Sequence, residues 1–241
     1  MKMSNLSFKS GLLALTLTLG FVAGNANAGI ITTGSFTGAD AGEGLDFEGS
    51  FEYAVNVLGN GGFNIGDASF TNDSVSGVNI SAQHSILNWH NANYGNSADD
   101  NSLEYVMQSI RWSGAGTDVV RVDMSDLVVG DSYSLQLLFA ETCCTRGFDV
   151  FAEGQKIVDD FSPYVEQGFV NNQSAGAFVR YDFVAGDSTL NITFGGSAPF
   201  GDNNPILNGF TLEHVTSVPE PSTTALLALS LFGLAARRIK K

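Results

Sequence analysis

The chain has few cations, few cysteines and few histidines for its length. It carries 11 Lys and Arg against 25 Asp and Glu in 241 residues, with two Cys and three His. Proteins that bind nucleic acid neutralise phosphates with clustered cations, so this scarcity argues against a nucleic-acid partner. Two cysteines that are neighbours in sequence also exclude a zinc site of the type built from spaced cysteine pairs.

Known catalytic motifs are also missing. The sequence contains no HExxH, no GxSxG and no P-loop, and His84, His90 and His214 are scattered. A cysteine nucleophile needs an activating histidine, which no local pattern supplies. We therefore predict a protein that is not an enzyme. A glycoside hydrolase stays open as a less favoured alternative, since so many acids always allow some close pair of carboxylates.

The N-terminal end has the pattern of a secretory signal. Lys2 and Lys9 precede an apolar run at residues 11–24, and Ala-Asn-Ala follows at residues 26–28. A basic start, an apolar centre and small residues at the end are typical of a signal peptide. We predict a signal helix within residues 1–28 and cleavage by signal peptidase after Ala28.

The C-terminal end resembles the PEP-CTERM sorting signal. Pro219, Glu220 and Pro221 are followed by an apolar stretch at residues 223–236 and by a basic cluster at residues 237–241. The resemblance implies a Gram-negative bacterium, processing by a membrane enzyme called exosortase, and a domain boundary at residue 218. The alternative is a plain membrane anchor. The apolar stretch is short for a spanning helix, and its basic end is expected to stay on the cytoplasmic side.

The middle segment, residues 29–217, is strongly acidic. Five cations and 24 acids remain there, a net charge of −19. Such a surface repels nucleic acid and anionic lipid, and it suits solubility outside a cell, cation binding, or contact with neutral or basic partners. The segment has the size of a single domain. No cofactor is predicted, although the acidic loops at residues 38–49 and 201–204 contain oxygen ligands suited to a structural calcium ion.

Alternating apolar and polar residues predict that this domain is all-β. The alternation is clear at residues 51–57, 120–124 and 133–139, and Gly, Asn, Asp and Ser cluster between the runs. Many short strands separated by such turns indicate a β-sandwich or barrel. Glu153-Gly154-Gln155 has the pattern of a hairpin tip.

One segment has helical spacing instead. Apolar residues follow an i, i+3, i+4, i+7 pattern at Leu103, Val106, Met107 and Ile110. This spacing predicts one short helix docked on the sheet. We expect Asp100 or Ser102 to be its N-cap.

Residues 99–215 resemble the malectin-like family of the galactose-binding-like group. The similarity lies in "DDNSLEYVMQSIRW", in "YSLQLLFAETCCTRGFDVFAEGQKIVDDF", in "GDSTLNITF" and in "DNNPILNGFTLEHV", in the family's order. The resemblance implies a jelly-roll β-sandwich that holds glucose-type sugars in a cleft between loops. In such clefts aromatic rings stack on sugar faces and polar groups fix the sugar's orientation.

The family's motifs assign a set of ligand-binding residues. The resemblance implies binding roles for Tyr94, Tyr105 and Asp202, with Cys143 and Cys144 in the place of the family's aromatic pair. The alternatives are plain packing of Tyr105 on the helix and a turn role for Asp202. The missing aromatic pair argues against binding of the family's own ligand.

The adjacent cysteines raise a separate question. Export places them in an oxidising compartment, and their only intramolecular bond joins neighbours. Consecutive Cα atoms lie about 3.8 Å apart, below the usual disulfide spacing of roughly 4.4–6.8 Å. We predict a vicinal Cys143–Cys144 disulfide that offers a flat apolar surface to a sugar. Two free thiols and a crosslink between chains remain alternatives. Glu141 and Arg146 are expected to pair with each other or with Asp149.

These patterns together predict an exported cell-surface or matrix protein. We predict a non-catalytic carbohydrate-binding module that acts in exopolysaccharide or biofilm, with polysaccharide as its partner. The alternative is a structural matrix or adhesion protein that has no small ligand. Signal peptidase and exosortase are partners during processing, and contact with the membrane is expected only through the C-terminal signal.

Overall fold

A computed structural model of the chain describes residues 29–38, 44–46, 50–169 and 173–215. The predicted signal helix and the predicted hydrophobic tail helix lie outside these residues, as do Ala28, Pro219, Glu220 and Pro221. Within the described part of the chain, no helix has both the length and the apolar character needed to span a membrane.

The described residues form mostly strands, with two helices. The first eight strands are β1 (Ile30–Phe36), β2 (Ser50–Asn56), β3 (Phe63–Ile65), β4 (Ala68–Asn72), β5 (Val78–Ser81), β6 (His84–Ile86), β7 (Ile110–Trp112) and β8 (Val120–Met124). The others are β9 (Ser132–Phe139), β10 (Phe148–Ala152), β11 (Gln155–Phe161), β12 (Gly176–Val184), β13 (Leu190–Gly195), β14 (Ile206–Leu207) and β15 (Gly209–Val215). The helices are α1 (Ala98–Met107) and α2 (Pro163–Glu166).

The strands form two large sheets and one small one. The larger sheet has the order β1-β12-β9-β15-β2-β4-β3, and the second has the order β11-β10-β13-β8-β5. A three-stranded sheet, β14-β7-β6, completes the set. Apart from the parallel pair β2 and β4, neighbouring strands are antiparallel. The predicted all-β sandwich is confirmed.

The main core lies between the two large sheets. Alternate residues of β9, Tyr133, Leu135, Leu137 and Phe139, share one buried cluster with apolar residues of β8, β10 and β13. This is the face that the alternation in the sequence predicted. Phe139 packs against Phe148, with ring centroids 5.8 Å apart.

A second core covers the opposite face of the larger sheet. Leu138, the apolar residue that breaks the alternation in β9, is buried there with Leu103, Val106 and Met107 of α1. The predicted helix docked on the sheet is therefore confirmed. Leu138 is apolar because the helix covers the face to which it points.

The predicted N-cap of this helix was wrong by several residues. Ser97 is the N-cap, and its side chain accepts a hydrogen bond from the Asp100 N–H at 2.9 Å. Asp100 in turn accepts a hydrogen bond from the Ser97 N–H at 2.8 Å, which completes a capping box. Ser102 lies within the helix. The one-turn helix α2 was not predicted.

The strand directions define two ends of the sandwich. We call the end where β9 stops, at Phe139, the upper end, and the end where it starts, at Ser132, the lower end. Strand β15 runs antiparallel to β9, so Gly209 is at the upper end and Val215 at the lower end. Ile30 pairs with Asp182 and also lies at the lower end.

Candidate functional site

Three loops meet at the upper end of the sandwich. They are the β7–β8 loop (residues 113–119), the β9–β10 loop (residues 140–147) and the β13–β14 loop (residues 196–205). The pairing of Val120 with Phe194 and of Asp149 with Gly195 places the strand ends that carry these loops side by side. Loops at one end of a sandwich commonly form the binding surface.

An open cleft of about 840 Å³ lies between the first and third of these loops. It is lined by small and polar residues: Ala115, Gly116, Thr117, Gly196, Ser197, Gly201, Asp202, Asn203 and Asn204. Among the described residues, the lining contains one acid, no cation and no aromatic ring. Its volume falls in the range usual for small-ligand sites, roughly 300–1,000 Å³.

Glu141 is the buried centre of the middle loop. It is 0% exposed. One carboxylate oxygen, Oε1, accepts hydrogen bonds from the N–H groups of Thr142, Cys143 and Cys144 at 2.9, 2.9 and 3.1 Å. The other oxygen, Oε2, accepts from Arg146 Nε at 2.6 Å. Four donors thus satisfy a charge that is costly to bury alone.

Arg146 joins this loop to the cleft. Its Nη2 lies 3.1 Å from Asp202 Oδ2, and its Nη1 donates to the backbone oxygen of Asn204. The guanidinium also lies over the Trp89 ring, 5.8 Å from the ring centroid. The predicted pairing of Glu141 with Arg146 is confirmed. Arg146 therefore fixes two residues that line the cleft through a buried charge network.

Backbone contacts hold the middle and third loops together. The Asp202 N–H donates to the Thr145 oxygen at 3.1 Å, and the Gly147 N–H donates to the Asp202 oxygen at 2.9 Å. The Phe200 ring packs directly on Gly147, where an added Cβ would overlap Phe200 Cδ2. A glycine is needed at this position because any side chain would collide with that ring.

Cys143 and Cys144 form a disulfide in this structure. Cys143 is exposed and Cys144 is half-buried. Arg146 Nη2, which binds Asp202, lies 3.9 Å from Cys143 Sγ. The disulfide therefore lies near Asp202 of the third loop, although neither cysteine is among the residues that line the cleft.

Asp202 has two roles in the structure. It lines the cleft, and its Oδ1 accepts a hydrogen bond from the Asn204 N–H at 2.8 Å, as expected of a turn residue. Asp202 and the two cysteines are thus brought together at the upper end.

The two predicted tyrosines lie elsewhere. Tyr94 is buried in the second core, where its ring centroid lies 5.6 Å from that of Phe36, and burial raises its pKa. The resemblance implied a ligand-binding role for Tyr94, and its ring, 5% exposed, offers no open face for one. Tyr105 is 54% exposed on α1 and stacks on Phe63 at 5.0 Å. Neither tyrosine lines the cleft.

Residue-level reasoning missed other residues of the cleft. Thr117 and Ser197 are exposed at its rim, and the side chain of Asn204 has no hydrogen-bond partner among the described residues. The glycines of the sequence could have indicated this cleft. Gly114 and Gly116 flank one side of it, and Gly195 and Gly196 flank the other. Glycines next to polar residues indicate loops that approach one another closely.

Two groups of potential metal ligands occur among the described residues. The donor atoms of Glu141, Cys143 and Cys144 lie within 4.8 Å of one another, but the Glu141 carboxylate already accepts four hydrogen bonds. Asp149, Asp159 and Asp160 form the second group. Lys156 Nζ lies 2.8 Å from Asp149 and 2.7 Å from Asp159, so a cation at this group would have to displace the ammonium.

Comparison with known proteins identifies the C-terminal signal and the fold. Residues 217–240 match the model of the PEP-CTERM protein-sorting motif. The fold is similar to the plant receptor-like kinase ANX2, with TM-score 0.55, 13% identity and 78% of this chain covered. It is also similar to the extracellular domain of ANXUR2 from Arabidopsis thaliana, with TM-score 0.52, 14% identity and 71% of this chain covered. No curated protein sequence matches the chain significantly.

A third similar structure is a β-glucuronidase from Bacteroides uniformis. Its TM-score is 0.50 at 18% identity, over 68% of this chain and 18% of the glucuronidase. The chain spans about half the length of the receptor structures, 54% of ANX2 and 52% of ANXUR2. Likeness at these identities shows the fold and leaves the activity open. The chain therefore combines a β-sandwich, similar in fold to these receptor structures, with a C-terminal PEP-CTERM sorting motif, which indicates export through an exosortase to the cell surface.

Proposed function

We propose that this protein is a non-catalytic carbohydrate-binding module of an extracellular matrix, and that the cleft at its upper end binds neutral polysaccharide. The observation that carries the proposal is the lining of the cleft. Side-chain amides, hydroxyls and one carboxylate surround a volume of about 840 Å³. Sugar hydroxyls both donate and accept hydrogen bonds, and such a lining offers partners for both.

The distribution of charge favours a neutral ligand. Each of the five cations of the domain already contacts a carboxylate: Arg111, Arg121, Arg146, Lys156 and Arg180. Arg146, the cation nearest the cleft, faces both Glu141 and Asp202. An anionic polymer would meet an acidic domain whose few cations are occupied.

The disulfide supplies an apolar surface where the cleft lacks an aromatic ring. Cys143 is exposed, and the loop that carries it is bonded to the loop of Asp202. A pyranose ring has an apolar C–H face that packs on flat apolar surfaces. We propose that this face lies on the Cys143–Cys144 sulfurs while the hydroxyls bind the side-chain amide of Asn204. The Asn203 amide already bonds the Ala198 N–H and the Phe200 oxygen within its own loop.

The carboxylates near the cleft support binding over hydrolysis. Glycosidases of the usual kind use two carboxyl groups that reach the glycosidic bond from either side. Asp202 is the one acid that the described part of the chain contributes to the lining, and it is bonded to Arg146 and to the Asn204 N–H. Glu141 is fully buried and already accepts four hydrogen bonds.

Binding to a glycan array, followed by calorimetry with neutral glucan and exopolysaccharide fragments, tests this proposal. The informative variant is Asn204→Ala, which removes a side-chain amide from the cleft and leaves the buried charge network in place. The matched control is Asn79→Ala, an exposed asparagine on β5 that does not line the cleft. We expect Asn204→Ala to weaken binding and Asn79→Ala to leave it unchanged. Absence of binding to any fragment refutes the proposal, and release of reducing sugar indicates a hydrolase.

A structural matrix protein without a ligand is the second candidate function. The observation in its favour is that none of the nine residues lining the cleft is aromatic. This candidate predicts no glycan binding together with normal export and processing.

A further inference from the structure

The lower end of the sandwich exposes a group of aliphatic side chains. Ile30 is 68% exposed, Val128 55%, Val129 62% and Val215 40%. We call these four residues the apolar foot. They come from three separate parts of the chain: the start of β1, the β8–β9 loop and the end of β15.

Hydrogen bonds and strand pairing place the members of the foot at one edge. The loop of Val128 and Val129 is bonded to the end of β12, because the Gly130 N–H donates to the Ala185 oxygen at 2.9 Å. The Val128 N–H donates to Tyr133 Oη at 2.8 Å. Val215 pairs with Ser132, next to Tyr133 in β9.

A shallow hollow continues this apolar surface. Its volume is about 220 Å³, and Ile30, Tyr133, Phe183 and Val184 are among its lining residues. Tyr133 and Phe183 stack with their ring centroids 5.7 Å apart. The foot is thus part of a wider apolar surface.

Two acidic residues at the lower end, Asp131 and Asp182, lie beside a basic side chain. Asp126 and Asp187 are exposed and accept hydrogen bonds from hydroxyl and backbone N–H groups. His214 Nε2 lies 2.9 Å from Asp131 Oδ2, and Arg180 Nε lies 2.8 Å from Asp182 Oδ1. These contacts lower the cost of bringing this end of an acidic protein close to an uncharged surface.

The chain leaves the described domain from the foot itself. Val215 is followed by seven residues, 216–222, before the apolar stretch of the sorting signal begins at residue 223. Seven residues reach at most about 25 Å even when fully extended. A bilayer that holds the tail is therefore within a short distance of the lower end.

We propose that the apolar foot docks on the phospholipid bilayer while the sorting tail is in place. This contact directs the lower end to the membrane and the cleft away from it, separated by the length of β9, about 26 Å for eight residues at 3.3 Å each. While the tail is uncut, the cleft then faces the solution on the side away from the bilayer. The short connection to the tail favours lipid over a second copy of the chain as the surface that covers the foot.

Quenching of tryptophan fluorescence by brominated lipid tests the proposal. The full chain, with its tail uncut, is incorporated into phosphatidylcholine vesicles with or without bromine on the acyl chains. Val129→Trp places a reporter in the foot, and Thr117→Trp places a matched reporter at the exposed rim of the cleft. The unaltered chain gives the background from Trp89 and Trp112. Val128→Trp provides a second foot position if Val129→Trp fails to fold.

We expect bromolipid to remove most of the added emission of Val129→Trp and to leave that of Thr117→Trp unchanged. Equal quenching of the two reporters, or none at the foot, overturns the proposal. A blue-shifted but unquenched emission at the foot shows that protein covers it and overturns the proposal as well. If the full chain does not co-float with the vesicles in a density gradient, the proposal is overturned as well. None of these outcomes depends on whether the cleft binds a glycan.

Discussion

Replacement of Arg146 by methionine is the sharpest test of the buried charge network. The Arg146→Met variant keeps an unbranched side chain of similar length but removes the cation that faces Glu141 and Asp202. Glu141 is fully buried and would keep its three backbone donors on Oε1 while Oε2 loses the guanidinium. Removal of one partner of a buried ion pair costs about 3–5 kcal/mol, because the other charge is left uncompensated.

Urea unfolding of the exported protein, with the disulfide intact, measures this cost. The matched control is Arg121→Met, which breaks the exposed pair between Arg121 and Asp123 on β8. Exposed pairs contribute about 0–1 kcal/mol, so we expect the control to change the free energy of unfolding by less than that. The double variant Arg146→Met with Glu141→Gln should lose less free energy of unfolding than the two single variants lose together. The uncompensated charge is absent from the double variant.

If Arg146→Met loses no more stability than Arg121→Met, the network contributes little and the reasoning is refuted. A large loss that persists undiminished when Glu141→Gln is added would also contradict it, because the loss would then come from packing and not from the unpaired carboxylate.

Three further predictions concern other parts of the domain. Burial lowers the pKa of His90 to about 4 from its ordinary value of 6.5. Since the unfolded chain takes up this proton first, stability is full above pH 6.5 and falls by about 3 kcal/mol on acidification to pH 4. Urea unfolding curves measured across this pH range should show that His90→Leu lacks this loss of stability. A variant with the same pH dependence as the unaltered chain would contradict the role of His90. Gly147→Ala should destabilise the domain by about 1–3 kcal/mol in urea unfolding, because the new methyl group overlaps the Phe200 ring, whereas an unchanged midpoint would show that the ring moves freely. Replacement of both Cys143 and Cys144 by serine should change stability by less than about 1 kcal/mol, as the bond closes almost no loop. Its effect should instead be weaker glycan binding in calorimetry, and unchanged affinity would refute the role of the sulfurs.

The strands and the docked helix were predictable because the local pattern and the fold agree. The alternation in β8 follows directly from one buried face, and that in β9 from the face that packs in the main core. The helical spacing of Leu103, Val106 and Met107 follows from the second core. Leu138 interrupted the alternation, and its role became clear only when the helix was placed over that face.

The site was predictable only in part, because it is built from loops far apart in sequence. The pairing of Glu141 with Arg146 was accessible since the two lie in one loop. The bond from Arg146 to Asp202 depends on the sheet order that places β13 beside β10. The burial of Tyr94 likewise depends on a contact with Phe36 of β1, which lies far from it in the sequence. A single sequence contains no local signal for either contact.

The central claim is that the cleft at the upper end binds neutral polysaccharide beside the disulfide. Chemical shifts of the backbone amides during titration with a neutral exopolysaccharide fragment test it most directly. We predict saturable shifts at residues 115–117, 143–144 and 196–204 and none at the lower end, residues 126–131. Shifts confined to the lower end, or no saturable shifts with any neutral fragment, would contradict the account.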